Sequence, residues 1–143
     1  MKQILLYCIA LFFCTVSSLE ARIITANPEK LPIAARNFIT TYFPDLRITI
    51  IKIDPDSKQR YEVILSNGCW IEFGKKGIWT KIHGTSAGVP ASIIPENIIR
   101  YLELHQPNLK INSVKREKSG YTIGLHNREK LYFDKKGELI SAE

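Results

Sequence analysis

Ile71-Glu72-Phe73-Gly74-Lys75-Lys76-Gly77 and Leu131-Tyr132-Phe133-Asp134-Lys135-Lys136-Gly137 are one phrase written twice. Each sets an aliphatic residue and a phenylalanine two apart, the alternation of a strand with one buried face, and closes on a Lys-Lys-Gly turn. Upstream, Tyr61-Glu62-Val63-Ile64-Leu65 matches Tyr121-Thr122-Ile123-Gly124-Leu125, and Pro44-Asp45-Leu46-Arg47-Ile48 matches Pro107-Asn108-Leu109-Lys110-Ile111. Chance does not hold such a register through two halves of a chain. A repeat of this kind sets the architecture before any single element does.

Working outward, each copy opens with an aliphatic–proline pair, Leu31-Pro32 and then Val89-Pro90, and continues into an amphipathic helix. Ala35, Phe38, Ile39 and Tyr42 fall at i, i+3, i+4 and i+7, and Ile98, Tyr101, Leu102 and His105 repeat that spacing, which is one apolar helix face. Pro44 and Pro107 stop the helices, because proline lacks the backbone donor and disfavours helix in the residue before it. Strands are expected over residues 47–53, 60–66, 69–74 and 78–83, and again over 110–116, 121–126, 130–134 and 138–141. Asn67-Gly68 signals a two-residue hairpin in which both positions take positive φ, and Asn127-Arg128 holds the same place less ideally. The expected fold is α+β: two tandem repeats, each a helix followed by a four-stranded antiparallel sheet, with the helices packed on one sheet face. A unit of about fifty residues is marginal alone, so the copies are expected to pack on a shared core. Whether their sheets join edge to edge stays open at this point.

The N-terminus is unlike the rest. Met1-Lys2-Gln3 gives a short positive start, Ile4 to Val16 carries no charge, and Ser17-Ser18 follows. That is the build of a secretory signal peptide, shorter than the ~20 apolar residues a bilayer span needs. Cleavage is expected at Ser18-Leu19, with Ala21-Arg22 second; Cys14 follows Phe12-Phe13 and not small residues, which argues against lipidation. The chain then divides into a signal peptide over 1–18, a lead-in over 19–30 expected to be poorly ordered from Arg22 to Lys30, a first unit over 31–84 and a second over 85–143. Cys8 and Cys14 leave with the signal, so the mature chain keeps only Cys69, a buried cysteine by expectation, and forms no internal disulfide. No transmembrane segment is expected after cleavage.

The proline-led helices, the Tyr-x-Val/Ile-x-Leu strand, the Phe-x-Lys-Lys-Gly turn and the doubled layout resemble the PepSY-like, beta-lactamase-inhibitor-like periplasmic proteins of Bacteroidetes. The resemblance runs from about Leu31 to the C-terminus and lies in the whole pattern, with no single diagnostic motif. It implies export to the periplasm and a tandem fold like that of beta-lactamase inhibitor protein, with the concave sheet as binding face. It implies no catalytic motif and no proven inhibition.

His83, His105 and His126 are far apart and in no ligand spacing; His105 falls on the apolar helix face in the place of Tyr42, and His83 and His126 read as solvated strand-end residues. Asp54-Pro55-Asp56-Ser57 spaces carboxylates like the start of a calcium loop but lacks the central glycine and closing glutamate, so it reads as a polar hairpin loop. There is no phosphate-cradling glycine loop and no nucleophile setting, and no cofactor or metal is expected. The formal net charge of +6 is spread among turns and alternate strand positions with interspersed glutamates, unlike the single basic stripe of a nucleic-acid footprint. Weak attraction to an acidic partner is compatible with it.

If Tyr61, Val63, Leu65, Ile71 and Phe73 and their equivalents point to the core, the other sheet side shows Glu62, Ile64, Trp70, Glu72, Thr122, Lys130 and Tyr132. Trp70 and Tyr132 are large aromatics where a solvated face would be polar, and aromatics are enriched in contact surfaces. Trp70 could instead be covered by a loop or by the other copy. Trp79 is ambiguous, its repeat partner Leu139 favouring the core. The expectation is an exported, non-enzymatic binding or inhibitor-like module engaging an unknown protein or peptide through Ile64, Trp70, Glu72, Lys130 and Tyr132. The alternative is a periplasmic small-molecule or ion sensor binding between the repeats.

Overall fold

The strand alternation builds a single nine-stranded antiparallel sheet in which every strand pairs with its neighbours in sequence. The computed structural model describes residues 22–58 and 60–143; the expected signal peptide, with Cys8, Cys14 and both cleavage bonds, lies outside the described residues. In chain order the elements are β1 (Ile23–Thr25), α1 (Ile33–Tyr42), β2 (Ile48–Ile53), β3 (Tyr61–Leu65), β4 (Trp70–Phe73) and β5 (Trp79–His83). Then follow α2 (Glu96–His105), β6 (Ile111–Arg116), β7 (Gly120–Leu125), β8 (Lys130–Asp134) and β9 (Leu139–Ala142). The expected strands are all present, with ends moved by a residue or so.

The question of the two sheets is answered at β5 and β6, which pair Lys81 with Lys115, Ile82 with Val114 and His83 with Ser113. Ile82 and Val114 are fully buried there, so the seam is sealed by core side chains as well as by backbone bonds. Val63, Leu65, Ile71, Phe73, Ile123, Leu125, Leu131 and Phe133 are buried with them in one cluster that takes in Ala35 and Ile39 of α1 and Ile98 and Leu102 of α2. Phe38 meets Phe73 edge-on at 5.8 Å and Tyr101 meets Phe133 in the same way at 5.4 Å. Trp79 belongs to the core, with Phe38 on one side and the Arg116 guanidinium 4.7 Å from its ring centre.

The Lys-Lys-Gly turns owe their glycines to these helices. Gly77 and Gly137 have φ of 77° and 82°, and a Cβ on Gly77 would come within 2.9 Å of Ala35 N. The matching Cβ on Gly137 would come within 2.9 Å of Asn97 Cβ. A side chain at either turn would push the helix start off the sheet.

Four expectations are corrected. The lead-in is not unstructured from Arg22 onward: Ile23, Ile24 and Thr25 pair with Ile53, Lys52 and Ile51, and Asn27 caps a 3-10 turn over Pro28–Lys30. The aliphatic–proline pair that starts the second helix is Ile94-Pro95, not Val89-Pro90. Pro90 begins a short 3-10 turn, Ala91–Ile93, and only the carbonyl of Pro95 accepts the first bond of α2, from Ile98 N–H. The hairpin at Asn67-Gly68 needs just one positive φ, that of Gly68. Gly68 N–H donates to Leu65 and Leu65 N–H to the Cys69 carbonyl, the arrangement of a three-residue loop with a bulge. His105, finally, is exposed; its ring stacks on Tyr101 at 4.2 Å and it adds nothing to the core.

Candidate functional site

Because side chains alternate across a strand, the strand register sorts the uncovered side of the sheet into two rows. In the first, Lys52, Glu62, Glu72 and Lys81 stand opposite one another from β2 to β5. Lys115, Thr122, Tyr132 and Ser141 continue it from β6 to β9. The second row runs Ile50, Ile64, Trp70 and His83, then Ser113, Gly124 and Lys130. None of these residues is fully buried.

The five residues singled out from sequence fall in two groups on this face. Ile64 and Trp70 are direct cross-strand partners and Glu72 follows two positions on. Lys130 and Tyr132 sit on β8, four strands away, roughly 19 Å at ordinary strand spacing. Trp70 is partly buried. Its partial cover comes from its own row and the next: His83 stacks on it at 5.4 Å and 18°, and Lys81 Nζ lies 4.8 Å from its ring centre. His83 is thus half-buried against an aromatic, not simply solvated.

Between the two groups lie residues the sequence reading did not pick out: Lys81, His83, Ser113, Lys115 and Gly124. Their signal was the same alternation, but assigning faces in β5 required knowing that Trp79 is inward and that a register shift separates it from Lys81. A trough of about 610 Å³ opens here, over β6 to β8. Its floor is low because Gly124 and Ser113 are small where the first half has Ile64 and Ile50. A Cβ on Gly124 would lie 2.5 Å from Ser113 Oγ.

Electrostatics differ along the face. Lys52 holds Glu62 at 2.7 Å and Lys115 holds Glu117 at 2.6 Å. The Lys115 hydrogen bond keeps the Glu117 carboxyl below its usual range, and the hydrogen bond from Tyr132 Oη to Glu143, 2.8 Å, raises the tyrosine. Cys69 is buried at the end of β3–β4, which pushes its thiol up to about 11. Asp54 Oδ1 accepts the backbone N–H groups of Asp56 and Ser57, the bonds of a local turn. Among the described residues no group of three or more His, Cys, Asp or Glu side chains is gathered as a metal would need, and no helix is long and apolar enough to cross a membrane.

Residues 59–141 match the family described as "Putative beta-lactamase-inhibitor-like, PepSY-like". The chain belongs to this family. Similar proteins of known structure have the same fold. A "putative periplasmic protein of unknown function" from Bacteroides vulgatus is 31% identical with a TM-score of 0.81, over 86% of this chain and 99% of that one. A "putative calcium-regulated periplasmic protein" from Bacteroides thetaiotaomicron is 34% identical with a TM-score of 0.78, over 85% and 94%. A second Bacteroides vulgatus protein, of the DUF2874 family, is 31% identical with a TM-score of 0.79, over 87% and 98%. No match is found among curated proteins.

Proposed function

We propose that this PepSY-like chain is an exported, periplasmic, non-enzymatic module, built as a tandem repeat whose helices cover one sheet face, and that it binds a protein or peptide through the other. The observation that carries the reading is Trp70, a half-exposed tryptophan held upright by His83 and Lys81 on a face that runs unbroken across the seam. Aromatic anchors on rigid strands supply contact area at low entropic cost. The periplasmic descriptions of the relatives and the signal-like N-terminus support the compartment. Crosslinking in intact cells, followed by identification of what is attached, should give a partner that is lost when Trp70 and Tyr132 are both changed to alanine. Undiminished recovery with the double variant would remove this face as the site.

The ion-sensor reading draws on the calcium-regulated description of one relative. The site expected for a sensor lay between the repeats; the carboxylate loop that such a description brings to mind, around Asp54, lies instead in the β2–β3 hairpin, with the carboxylate 3.6 Å from Arg22. A melting temperature that rises on adding calcium chloride and falls back with chelator, in a manner dependent on Asp54 and Asp56, would favour this reading over the first.

A further inference from the structure

We propose that the trough over β6 to β8 receives an acidic, extended peptide segment of the partner, with an apolar residue of that segment lying against Trp70. The inference rests on the reading of the open face as the binding surface and adds the chemistry of what it binds.

Three independent features of the chain support it. The first is charge. Lys81, Lys115, Arg128 and Lys130 line the trough, against Glu117 and Glu129. Both carboxylates are already engaged, Glu117 by Lys115 and Glu129 by the side-chain amides of Asn127 and Gln106. Among the described residues Lys81, Arg128 and Lys130 have no ion-pair partner. The amides leave the charge of Glu129 in place, so three cations without an ion pair stand against one carboxylate and the trough keeps a positive balance.

The second is the seam. Lys81 and Lys115 are direct cross-strand partners, and like charges so placed work against sheet pairing. Lys81 does not turn to Glu72, which stands opposite it on its other side, but lays its ammonium over Trp70. Of the two lysines set face to face at the join of the halves, Lys115 is met by Glu117 and Lys81 has no carboxylate on it, so the seam leaves one cation for a ligand anion.

The third is backbone strain. Arg128 is the single non-glycine residue with positive φ, 75°, among the described residues, and Gly68 occupies the matching turn of the first half with φ of 86°. A side chain in that region costs about 1–2 kcal/mol relative to glycine, and such strain persists where something else selects the side chain. What the arginine side chain adds at this place is a cation on the trough rim.

A long polyanion fits less well. The first half of the same face carries Glu72, which has no ion-pair partner among the described residues, beside the already paired Glu62, and offers a chain of phosphates no free cation to continue onto. The central strands have no free backbone edge, so the segment must be held by side chains. Carboxylates over β6 to β8 and an apolar side chain toward Trp70 satisfy the whole surface.

The experiment uses the mature chain and three dye-labelled synthetic peptides: alternating Glu and Thr ending in Leu, and the same peptide with Gln or with Lys for Glu. Fluorescence anisotropy at low salt should show the Glu peptide binding about tenfold or more tightly than the other two, with the advantage shrinking as salt shortens the range of the field. Lys81→Gln with Lys130→Gln should weaken the Glu peptide about tenfold without lowering the melting temperature. Arg128→Gly should weaken it too while raising that temperature. Equal binding of the three peptides, binding of none, or indifference to the lysine and arginine variants would each overturn the acidic segment. The crosslinking comparison with the Trp70 and Tyr132 double variant judges the surface itself. A partner lost in that variant but insensitive to the lysines would leave the surface standing and the acidic segment refuted.

Discussion

The two halves of the sheet agree on the side that faces the helices and part company on the other. Inward, Val63 and Ile123, Leu65 and Leu125, Ile71 and Leu131, and Phe73 and Phe133 are interchangeable aliphatics and identical rings, all buried. Outward, Ile50, Ile64, Trp70 and Glu72 of the first half stand where the second has Ser113, Gly124, Lys130 and Tyr132. The core tolerates little because close-packed interiors penalise any change of volume. The outer face has no such constraint, and there the row of Ile50, Ile64 and Trp70 in one half is apolar while the matching Ser113, Gly124 and Lys130 of the other are small or basic. A divergence that folding does not require, concentrated on one side of one sheet, is where binding chemistry can be written.

The strongest way to break this comparison is to attack the part the halves share. Phe73→Ala and Phe133→Ala should each cost about 3–5 kcal/mol, since each opens a cavity under its helix. Because β5 and β6 seal the seam, both should lower the midpoint of one common urea transition, whether followed through Trp70 and Trp79 or by circular dichroism. Two separate transitions, each moved by only its own phenylalanine, would show the halves to be independent domains.

A smaller effect distinguishes the cores. Cys69 of the first half is buried, while its place in the second is held by Glu129, half-exposed and hydrogen-bonded. Burial raises the thiol from its ordinary 9.0 to about 11. A raised thiol contributes stability that is intact below pH 9.0 and is lost as pH climbs toward 11, because the unfolded chain ionises first. The loss due to this group should approach about 2–3 kcal/mol. It should appear as the difference in alkaline urea midpoints between the native chain and Cys69→Ala. Matching pH profiles for the two would show the thiol is not shielded. The native thiol should also react slowly with a thiol reagent at neutral pH and quickly in urea.

The smallest expected effect sharpens the comparison at the matching hairpins. Arg128→Gly should stabilise by about 1 kcal/mol and Gly68→Arg should destabilise by a similar amount, read from urea midpoints. Destabilisation by Arg128→Gly would mean that the arginine side chain makes a folding contact outweighing its backbone strain.

Much of the fold was legible in the residues. Phe73 and Phe133, with their Lys-Lys-Gly turns, marked the hairpins, and Pro44 and Pro107 marked where the helices stop. Two things misled. Val89-Pro90 looked like Leu31-Pro32, but the second helix waits for Ile94-Pro95, since an aliphatic–proline pair signals only a chain that cannot continue as helix before the proline. The lead-in looked polar and loose, yet Ile23–Thr25 gains a ladder from β2, a contact no local pattern announces. Of the candidate site, Trp70 and Tyr132 were visible as aromatics out of phase with the core. Lys81, His83 and Ser113 were not, because their place on the face depends on a register shift beside Trp79.

Trp79 and Leu139 show the division between what sequence and tertiary structure decide. Both follow a Lys-Lys-Gly turn at the same distance, and both point to the helix side. Trp79 is 8% exposed and Leu139 is 38% exposed, since Trp79 lies on an inner strand with Arg116 of β6 over it and Leu139 lies on the edge strand β9. Period-two alternation, proline stops and glycine turns are local rules, and by themselves they determined where the strands lie, where the helices stop and which side chains of the regular strands face the core. Which strand has a neighbour, that β5 finds β6, and that Lys81 therefore meets Lys115 are consequences of long-range pairing. Those depend on how the whole chain closes, and the tertiary structure alone decided them.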